Sequence, residues 1–533
     1  MKRIFITGIA VCLLQSSYAQ DVFDALRYSY PISSGTARTQ AIGGTNISLG
    51  GDISSVFINP AGIAQFKTNE LVLSPGFNFN KYKINYNDTI TKGNKSKLNG
   101  GTSGVIFSFG GGRYGRSRNN TTLALAVNQT ANFNTRFSYG GRNLNSSYTE
   151  KWLEEIKYSN VSTIDGVRSS FPLGASQAYE SYLIDIVSSP NGDLLITNAD
   201  ISKNITQHFA YESKGGMTEG AIALAWNSND KVLYGVTIGI PIVQYDRQTV
   251  VTENDGTGNT DNDFESFTFT ENLATRGGGI NAKLGVLFKP VEYFRIGLTF
   301  HTPTIMSLTD YADATITSNI ENYSRRLNND PSKPTSYTYN TKDVNELTGG
   351  GDENRYSYQI VTPWRAGLGL SYVFREISDV TKQKAFITGD VELINYKAMK
   401  YSSSQGSPDV GETEYFNGLN SQIDEMYKMA INARIGGELK FKTLMVRAGF
   451  NFMGSPYNRN FVNDVFGEDL PGWRMTPSLG LGYRDKGVFF DLTYAHAFGR
   501  NFHVPYTLQD ASYPFAKNNI SNGQVVATVG FKF

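Results

Sequence analysis

The sequence predicts an all-β chain: a 14-stranded antiparallel transmembrane β-barrel with a small N-terminal plug of short helices in its lumen. Composition is the first of three observations behind this reading. The 533 residues include 31 Tyr, 33 Phe and 54 Gly, yet only 18% are charged. Mean hydropathy is nevertheless negative, and no apolar run reaches the roughly 20 residues that a membrane helix needs. The second observation is alternation. From Tyr358 to Phe374, Tyr358, Ile360, Trp364, Leu368, Leu370, Tyr372 and Phe374 share one parity, while Gln359, Arg365, Gly367, Gly369 and Ser371 share the other. This period of two extends well beyond the roughly 3–10 residues of ordinary strands. The third is the spacing of the connections, which alternate short and long along the chain. Outer-membrane barrels have short turns at one rim and long loops at the other.

The elements follow in order. Lys2 and Arg3 precede the apolar stretch Ile4 to Leu14, and Ser17-Tyr18-Ala19 fits a small-x-small cleavage site. Residues 1–19 therefore read as a signal peptide, and Gln20 as the first mature residue. The sole cysteine, Cys12, lies inside that leader behind Val11, where lipidation would want a small residue. The mature chain is expected to have neither disulfides nor a thiol nucleophile.

Residues 20–66 form the plug. Helices are expected at Asp21 to Tyr28, Thr36 to Ile42 and Ile53 to Phe57, separated by Gly43-Gly44 and Gly50-Gly51. Pro60 disfavours helical backbone at Asn59, so the last helix should stop there. Asn59-Pro60-Ala61-Gly62 can equally be an ordinary turn. The barrel, 67–533, is expected to have strands at about 70–86, 102–111, 121–139, 217–227, 231–252, 262–289, 291–303, 355–375, 384–400, 428–441, 443–453, 473–484, 487–499 and 522–533. The even count puts both termini on the periplasmic side. Three large extracellular loops are expected at 140–216, 304–354 and 401–427. Helix-like stretches lie within the first (Thr149 to Ile156 and Ala178 to Ile186) and across the end of the third (Tyr415 to Met429). Loops of such length are usually either functional or disordered. Val525, Ala527, Val529, Phe531 and Phe533 end the chain on an aromatic, which resembles the signal read by the barrel-assembly machinery.

Several chemistries are excluded or disfavoured. A net charge of +1 gives no argument for a nucleic-acid partner. His208, His301, His496 and His503 have no metal-ligand spacing, so neither a metal nor a cofactor is expected. Gly110 to Gly115 precedes a strand, which defeats a phosphate-loop reading. Gly277-Gly278-Gly279 lies within a strand and signals a bulge or close backbone approach. Asp491 and His496 fall on opposite faces of one strand, leaving His496 with His503 and Asp510 as the remaining hydrolase arrangement. The chain is expected not to be an enzyme. Asp390 and Glu392 face the lumen, where Arg365 or Arg375 of the neighbouring strand could pair with them. Cross-strand pairing is preferred to a substrate-binding role.

Ile58-Asn59-Pro60-Ala61-Gly62, preceded by Leu49-Gly50-Gly51-Asp52, resembles the N-terminal signature of the FadL/TodX (OMPP1) family of outer-membrane hydrophobic-compound transporters. Gly297-Leu298-Thr299-Phe300-His301-Thr302-Pro303 is similar to the family's strand-into-loop segment, and the resemblance spans essentially the mature chain. It implies a monomeric barrel in outer-membrane lipid with a hatch at Gly43, Gly44, Gly50, Gly51, Asn59, Pro60 and Ala61. It also implies passive uptake of a hydrophobic small molecule, such as a long-chain fatty acid or aromatic hydrocarbon. The loops would capture the ligand and a lumen pocket would receive it. A lateral opening would need an interrupted strand, for which Asn128, Gln129, Thr130 and Asn132 are the candidates. The large polar loops depart from the family pattern and could instead dock a protein partner. Some barrels resembling this family are accessory subunits of secretion or assembly complexes, and that is the alternative reading.

Overall fold

The computed structural model describes residues 21–110, 119–159, 161, 163–187, 194–199, 205–260, 262–321, 327, 330, 332–349, 354–374, 384–406, 408, 410–467, 471–510 and 514–533. The leader, Gly111 to Gly115 and Arg375 lie outside the described residues. Fourteen strands close into one antiparallel wall. They are β1 (Glu70–Leu73 and Pro75–Tyr86), β2 (Thr89–Gly100 and Ser103–Phe109), β3 (Asn120–Asn132 and Thr135–Asn143), β4 (Ile205–Ser228) and β5 (Val232–Asn254). Then come β6 (Ser266–Val291), β7 (Phe294–His301 and Ile305–Asn319), β8 (Asn354–Val361 and Arg365–Phe374) and β9 (Ala385–Asn395 and Lys400–Ser403). The series ends with β10 (Met429–Phe441), β11 (Leu444–Met453), β12 (Arg474–Asp485), β13 (Val488–His503) and β14 (Ala516–Lys532). Both segments of β1 pair with β14, which closes the barrel.

Alternation builds the wall because each strand has two unlike faces. Ile222, Ile238, Ile240, Ile242, Ile280, Leu284, Leu368, Ile435, Leu479 and Leu492 point outward and are exposed, together forming an apolar belt. Trp226 stacks with Tyr234 at the belt edge near the short turns, and Phe300 with Trp364 at the edge near the long loops. An aromatic-edged apolar belt on a closed barrel is the surface of a membrane-spanning wall. No described helix is long and apolar enough to cross a membrane.

Beyond the belt, toward the loops, the polarity inverts. Met306, Leu308, Ala314 and Ile316 of β7 point inward and are buried, whereas Ser307, Thr309, Asp313 and Thr317 of the same strand point outward. These strands leave the bilayer and stand in water, so their apolar faces turn to the interior. Among the described residues, six loop helices fill it: α4 (Tyr148–Tyr158), α5 (Ile164–Ser170), α6 (Ala175–Glu180), α7 (Thr341–Thr348), α8 (Val410–Met426) and α9 (Arg459–Phe466). Tyr148, Trp152 and Ile156 recur at helical spacing along α4 and bury themselves against the Phe267 and Phe269 rings.

This inversion corrects several boundaries. Residues 89–100 are strand, joined to β1 by the tight turn Asn87-Asp88, where a long loop 87–101 was expected. Both turn residues have positive φ, 43° and 63°, as the favoured two-residue hairpin requires. The segment is polar on both faces because it lies beyond the belt, and this removes the alternation that would reveal it. Connections therefore do not alternate short and long without exception. Residues 305–319 likewise belong to β7 and not to a loop, β4 begins at Ile205, and α8 ends at Met426. Ala178 to Ile186 is not one helix: α6 stops at Glu180 and Ile184–Val187 pairs with Leu194–Thr197. The stretch from Tyr358 to Phe374 is interrupted at Thr362 to Trp364. Tyr358 and Ile360 point inward while Leu368 and Leu370 point outward, so the expected single face switches sides.

Candidate functional site

The N-terminal segment sits inside the barrel. It holds α1 (Val22–Ser29), α2 (Ala37–Ala41), α3 (Ser55–Ile58) and a 3-10 turn, Pro60–Gln65. Elements this short leave most backbone groups unpaired internally, and side chains of the wall pair many of them. Thr493 donates to the Ala37 carbonyl at 2.5 Å and Ser478 to that of Ala41 at 3.0 Å. Asp390 accepts from the amides of Asn46 and Ile47 at 2.9 and 3.0 Å. Arg295 donates to the Leu49 carbonyl at 2.7 Å, and Thr237 to that of Val56 at 2.9 Å.

Wall glycines allow the close seat. A Cβ on Gly235 would lie 2.6 Å from the Pro60 backbone, on Gly297 2.0 Å from the Ile47 carbonyl, and on Gly436 2.2 Å from the Ile42 carbonyl. On Gly449 it would lie 2.0 Å from the Gly43 amide nitrogen. Plug backbone thus rests directly on wall backbone. Within the plug Gly43, Gly44, Gly50 and Gly51 all have positive φ, from 64° to 81°. A side chain would be strained at each.

Asn59 ends α3 with extended backbone, φ −144° and ψ 101°, as the following Pro60 favours. Its Oδ1 accepts from the Ala61 amide at 3.1 Å. Its Nδ2 reaches the Ile47 carbonyl at 2.6 Å, and the Val286 and Leu298 carbonyls of β6 and β7 at 3.2 and 3.3 Å. Thr299 and His301 both meet the Ile58 carbonyl at 2.9 Å. A carbonyl only accepts, so Nε2 of His301 carries the donated proton. The two family-like phrases, Asn59-Pro60-Ala61 and Gly297 to Pro303, are therefore in contact.

The lumen-facing charges pair differently from the sequence expectation. Glu392 takes Arg434 of β10 at 2.6 Å, not Arg365 of β8, and Asp390 is occupied by the plug amides. The reason is geometric: β9 has two neighbours, and the β10 side offers the guanidinium. Nearer the short turns, buried Arg447 bridges Glu438 at 2.6 Å and Asp491 at 2.5 Å. Such buried charges are tolerated because each has its counter-charge. The hydrolase arrangement is not assembled. His496 meets Tyr494 and Ser521, His503 meets Tyr139, and Asp510 pairs with Lys157.

Toward the loops from the seated plug lies a cavity of about 770 Å³. Phe23, Arg27 and Tyr30 of the N-terminal segment, Tyr415 and Leu419 of α8, and Tyr245 of β5 line it. It extends to Ala131, Asn132, Phe133 and Asn134, where β3 is interrupted.

That interruption changes the wall. The β2–β3 ladder runs from Phe109–Thr121 to Ser103–Val127, and among the described residues no ladder joins the two strands beyond it. Asn128, Gln129, Thr130 and Asn132 thus lack ladder partners on the β2 side, while Thr130 bulges out of the ladder to β4. Side chains bridge the seam instead. Thr91 of β2 donates to the Ser138 carbonyl at 2.6 Å, and behind the seam Asn80 of β1 donates to the Asn134 carbonyl at 3.1 Å. Asn128 turns inward, donating to Ser34 at 3.0 Å and accepting from Thr102 at 3.1 Å. Gln129 is level with Thr218, and Thr218 with Ile242 at the loop-side margin of the belt.

No protein-family model matches the chain, and no curated sequence matches it. Among solved structures, a Pseudomonas aeruginosa FadL homologue is similar over 95% of this chain and 100% of its own, at 12% identity and a TM-score of 0.53. The P. putida toluene transporter TodX gives 94%, 99%, 12% and 0.49, and the Ralstonia pickettii toluene transporter TbuX 94%, 99%, 12% and 0.46. At the first of these likenesses, with fourteen strands closed around its own N-terminal helices, the chain has the FadL-type barrel fold.

Proposed function

We propose that the protein is an outer-membrane transporter that takes up hydrophobic small molecules by passive diffusion. One observation carries this reading: the cavity lies between the seated plug and the loop helices and ends at the unladdered β2–β3 seam. A ligand captured among the apolar loop side chains would move into the cavity and leave sideways at Asn128 to Asn132. This route keeps it out of the polar, plug-filled half of the lumen, where an apolar molecule would have to displace the hydrogen bonds holding the plug. The seam lies at the margin of the apolar belt, so a departing lipophile would pass directly into acyl chains. A leader cleaved after Ala19 would accompany export. Toluene and palmitate, the two simplest lipophiles of this class, give the test. Cells that carry the protein should accumulate one or both faster than cells that lack it, without coupling to an energy source. Equal uptake in the two strains overturns the reading.

A further inference from the structure

The outward face of the β1–β2 hairpin carries three lysines without a counter-charge among the described residues. On β1 the exposed side chains run Phe79, Lys81, Lys83 and Asn85, and on β2 Ile90, Lys92, Asn94 and Ser96. Lys83 lies directly opposite Lys92, and Lys81 opposite Asn94. Like charges directly opposite on one face repel, and Lys81 adds a third in the diagonal position, roughly 7–8 Å from Lys92 by strand geometry. The flanking strand β14 sets Asn519 level with Lys83 and Ser521 level with Lys81, and neither carries a charge. Asp88, the one acid in residues 75–100, sits in the turn and has no ion pair among the described residues. Farther round the wall the outward cations are neutralised. Arg136 and Lys214 flank Glu212 at 3.7 and 3.6 Å, and Arg276 pairs with Asp246.

The place of these lysines on the wall indicates what they meet. Toward the belt the same face turns apolar: the Phe77 and Phe79 rings stand edge to face at 4.8 Å, and Leu98 is level with Phe77. Phe79 is 42% exposed and Leu98 74%. Lys81 follows Phe79 by two residues, so the surface passes from apolar to cationic within about 7 Å along the strand. Such a step on the long-loop rim matches the passage from acyl chains to headgroups, and lysine stems can lie on apolar surface while their ammonium groups reach the polar layer. We propose that this face docks a phosphorylated glycolipid of the outer leaflet. Lys81, Lys83 and Lys92 would hold its phosphate groups, Asn94 and Ser96 would meet its sugar hydroxyls, and its acyl chains would lie on Phe79 and Leu98. A phosphate set between Lys83 and Lys92 replaces their repulsion with attraction to a shared anion. This inference rests on placement in the outer membrane and not on the transport reading.

The test uses the full mature chain in detergent micelles, titrated with lipid A, a diphosphorylated glycolipid, and with the same lipid after dephosphorylation. Native mass spectrometry counts the lipid retained. Wild-type protein should hold lipid A more tightly by about tenfold or more, as expected for several lysines acting at a charged lipid layer. The preference should shrink as salt rises. K81Q/K83Q/K92Q should lose it, whereas R136Q/K214Q/R276Q, which removes as many charges from paired cations, should keep it. Equal binding of the two lipids by the wild-type protein overturns the proposal and depends on no variant. Equal loss in both triple variants would make the effect one of net charge and would also overturn it. Displacement of lipid A by millimolar inorganic phosphate would mark a site for the free anion and overturn the lipid assignment. None of these outcomes involves uptake, so the transport reading stands or falls separately.

Discussion

Asn59 is the residue on which plug and wall most visibly depend. One amide group reaches the plug carbonyl of Ile47 and carbonyls on two neighbouring wall strands. Replacing it with alanine strips those acceptors and the Ala61 amide at once, and each buried polar group left unpaired costs about 1–3 kcal/mol. Asn59→Ala with Pro60→Ala should therefore loosen the hatch while the barrel stays closed, because the wall strands pair with one another. Single-channel conductance in planar bilayers should rise above wild type. Wild-type conductance in a correctly folded double variant would show that this segment does not block the lumen. The motif was legible in the sequence because Asn-Pro imposes a local stop. Its partners were not, since Val286 and Leu298 lie more than two hundred residues away and act through backbone carbonyls that carry no side-chain signature. The pairing of Glu392 was missed for a related reason. Sequence order favoured Arg365 on β8, but the sheet places Arg434 of β10 at equal standing, and geometry decides.

Among elements, the interrupted β3 and the anchored α4 make separable predictions. Replacing residues 128–132 with alternating Val and Thr should extend the β2–β3 ladder and slow uptake of a lipophile without preventing folding. Unchanged uptake in a folded variant would remove the seam as an exit. At the far end of β5, Glu253 accepts from Ser147 at 2.5 Å, the Tyr148 amide at 2.7 Å and Gln207 at 2.6 Å, holding the start of α4. The other end of α4 is clasped by Lys157 and Tyr158 on Asp510. The clasp is half exposed, and such pairs contribute about 0–1 kcal/mol. The Glu253 anchor is buried and leaves three donors orphaned when removed, so it should dominate. Glu253→Ala is expected to speed proteolysis within 144–204 strongly, and Asp510→Asn only slightly; the reverse order would reassign the anchor. The hydrogen bond from Lys157 holds the Asp510 carboxyl below its ordinary range. Its small contribution is therefore present above that range and is lost as pH falls through the lowered value. Hydrogen exchange in the last turn of α4, which carries Lys157 and Tyr158, should then rise only in strong acid.

At the scale of the molecule, the chain runs through two solvents, and that is what alternation could and could not report. Where apolar residues face lipid, as along Leu368 to Phe374, the period of two gave both strand and face. Where the wall stands in water, the face inverts, so Tyr358 and Ile360 continue the period but point inward, and 305–319 resembled a loop although its alternation is regular. Residues 89–100 lost the signal altogether because both faces are polar. The cavity was illegible for a third reason: its walls come from strands far apart in sequence. The same two-solvent arrangement predicts sidedness. The mature chain has no cysteine if cleavage follows Ala19, so single cysteines can report position without background. Ser332→Cys lies in the loop between β7 and β8, whereas Asn229→Cys and Glu292→Cys lie in tight turns at the opposite rim, and all three native residues are exposed. A membrane-impermeant maleimide added to intact cells should label the first and spare the other two until the outer membrane is opened. Labelling of the turns with protection of the loop would invert the barrel. It would place the cavity on the periplasmic side of the plug and reverse the direction of the proposed route, while leaving the fold unchanged.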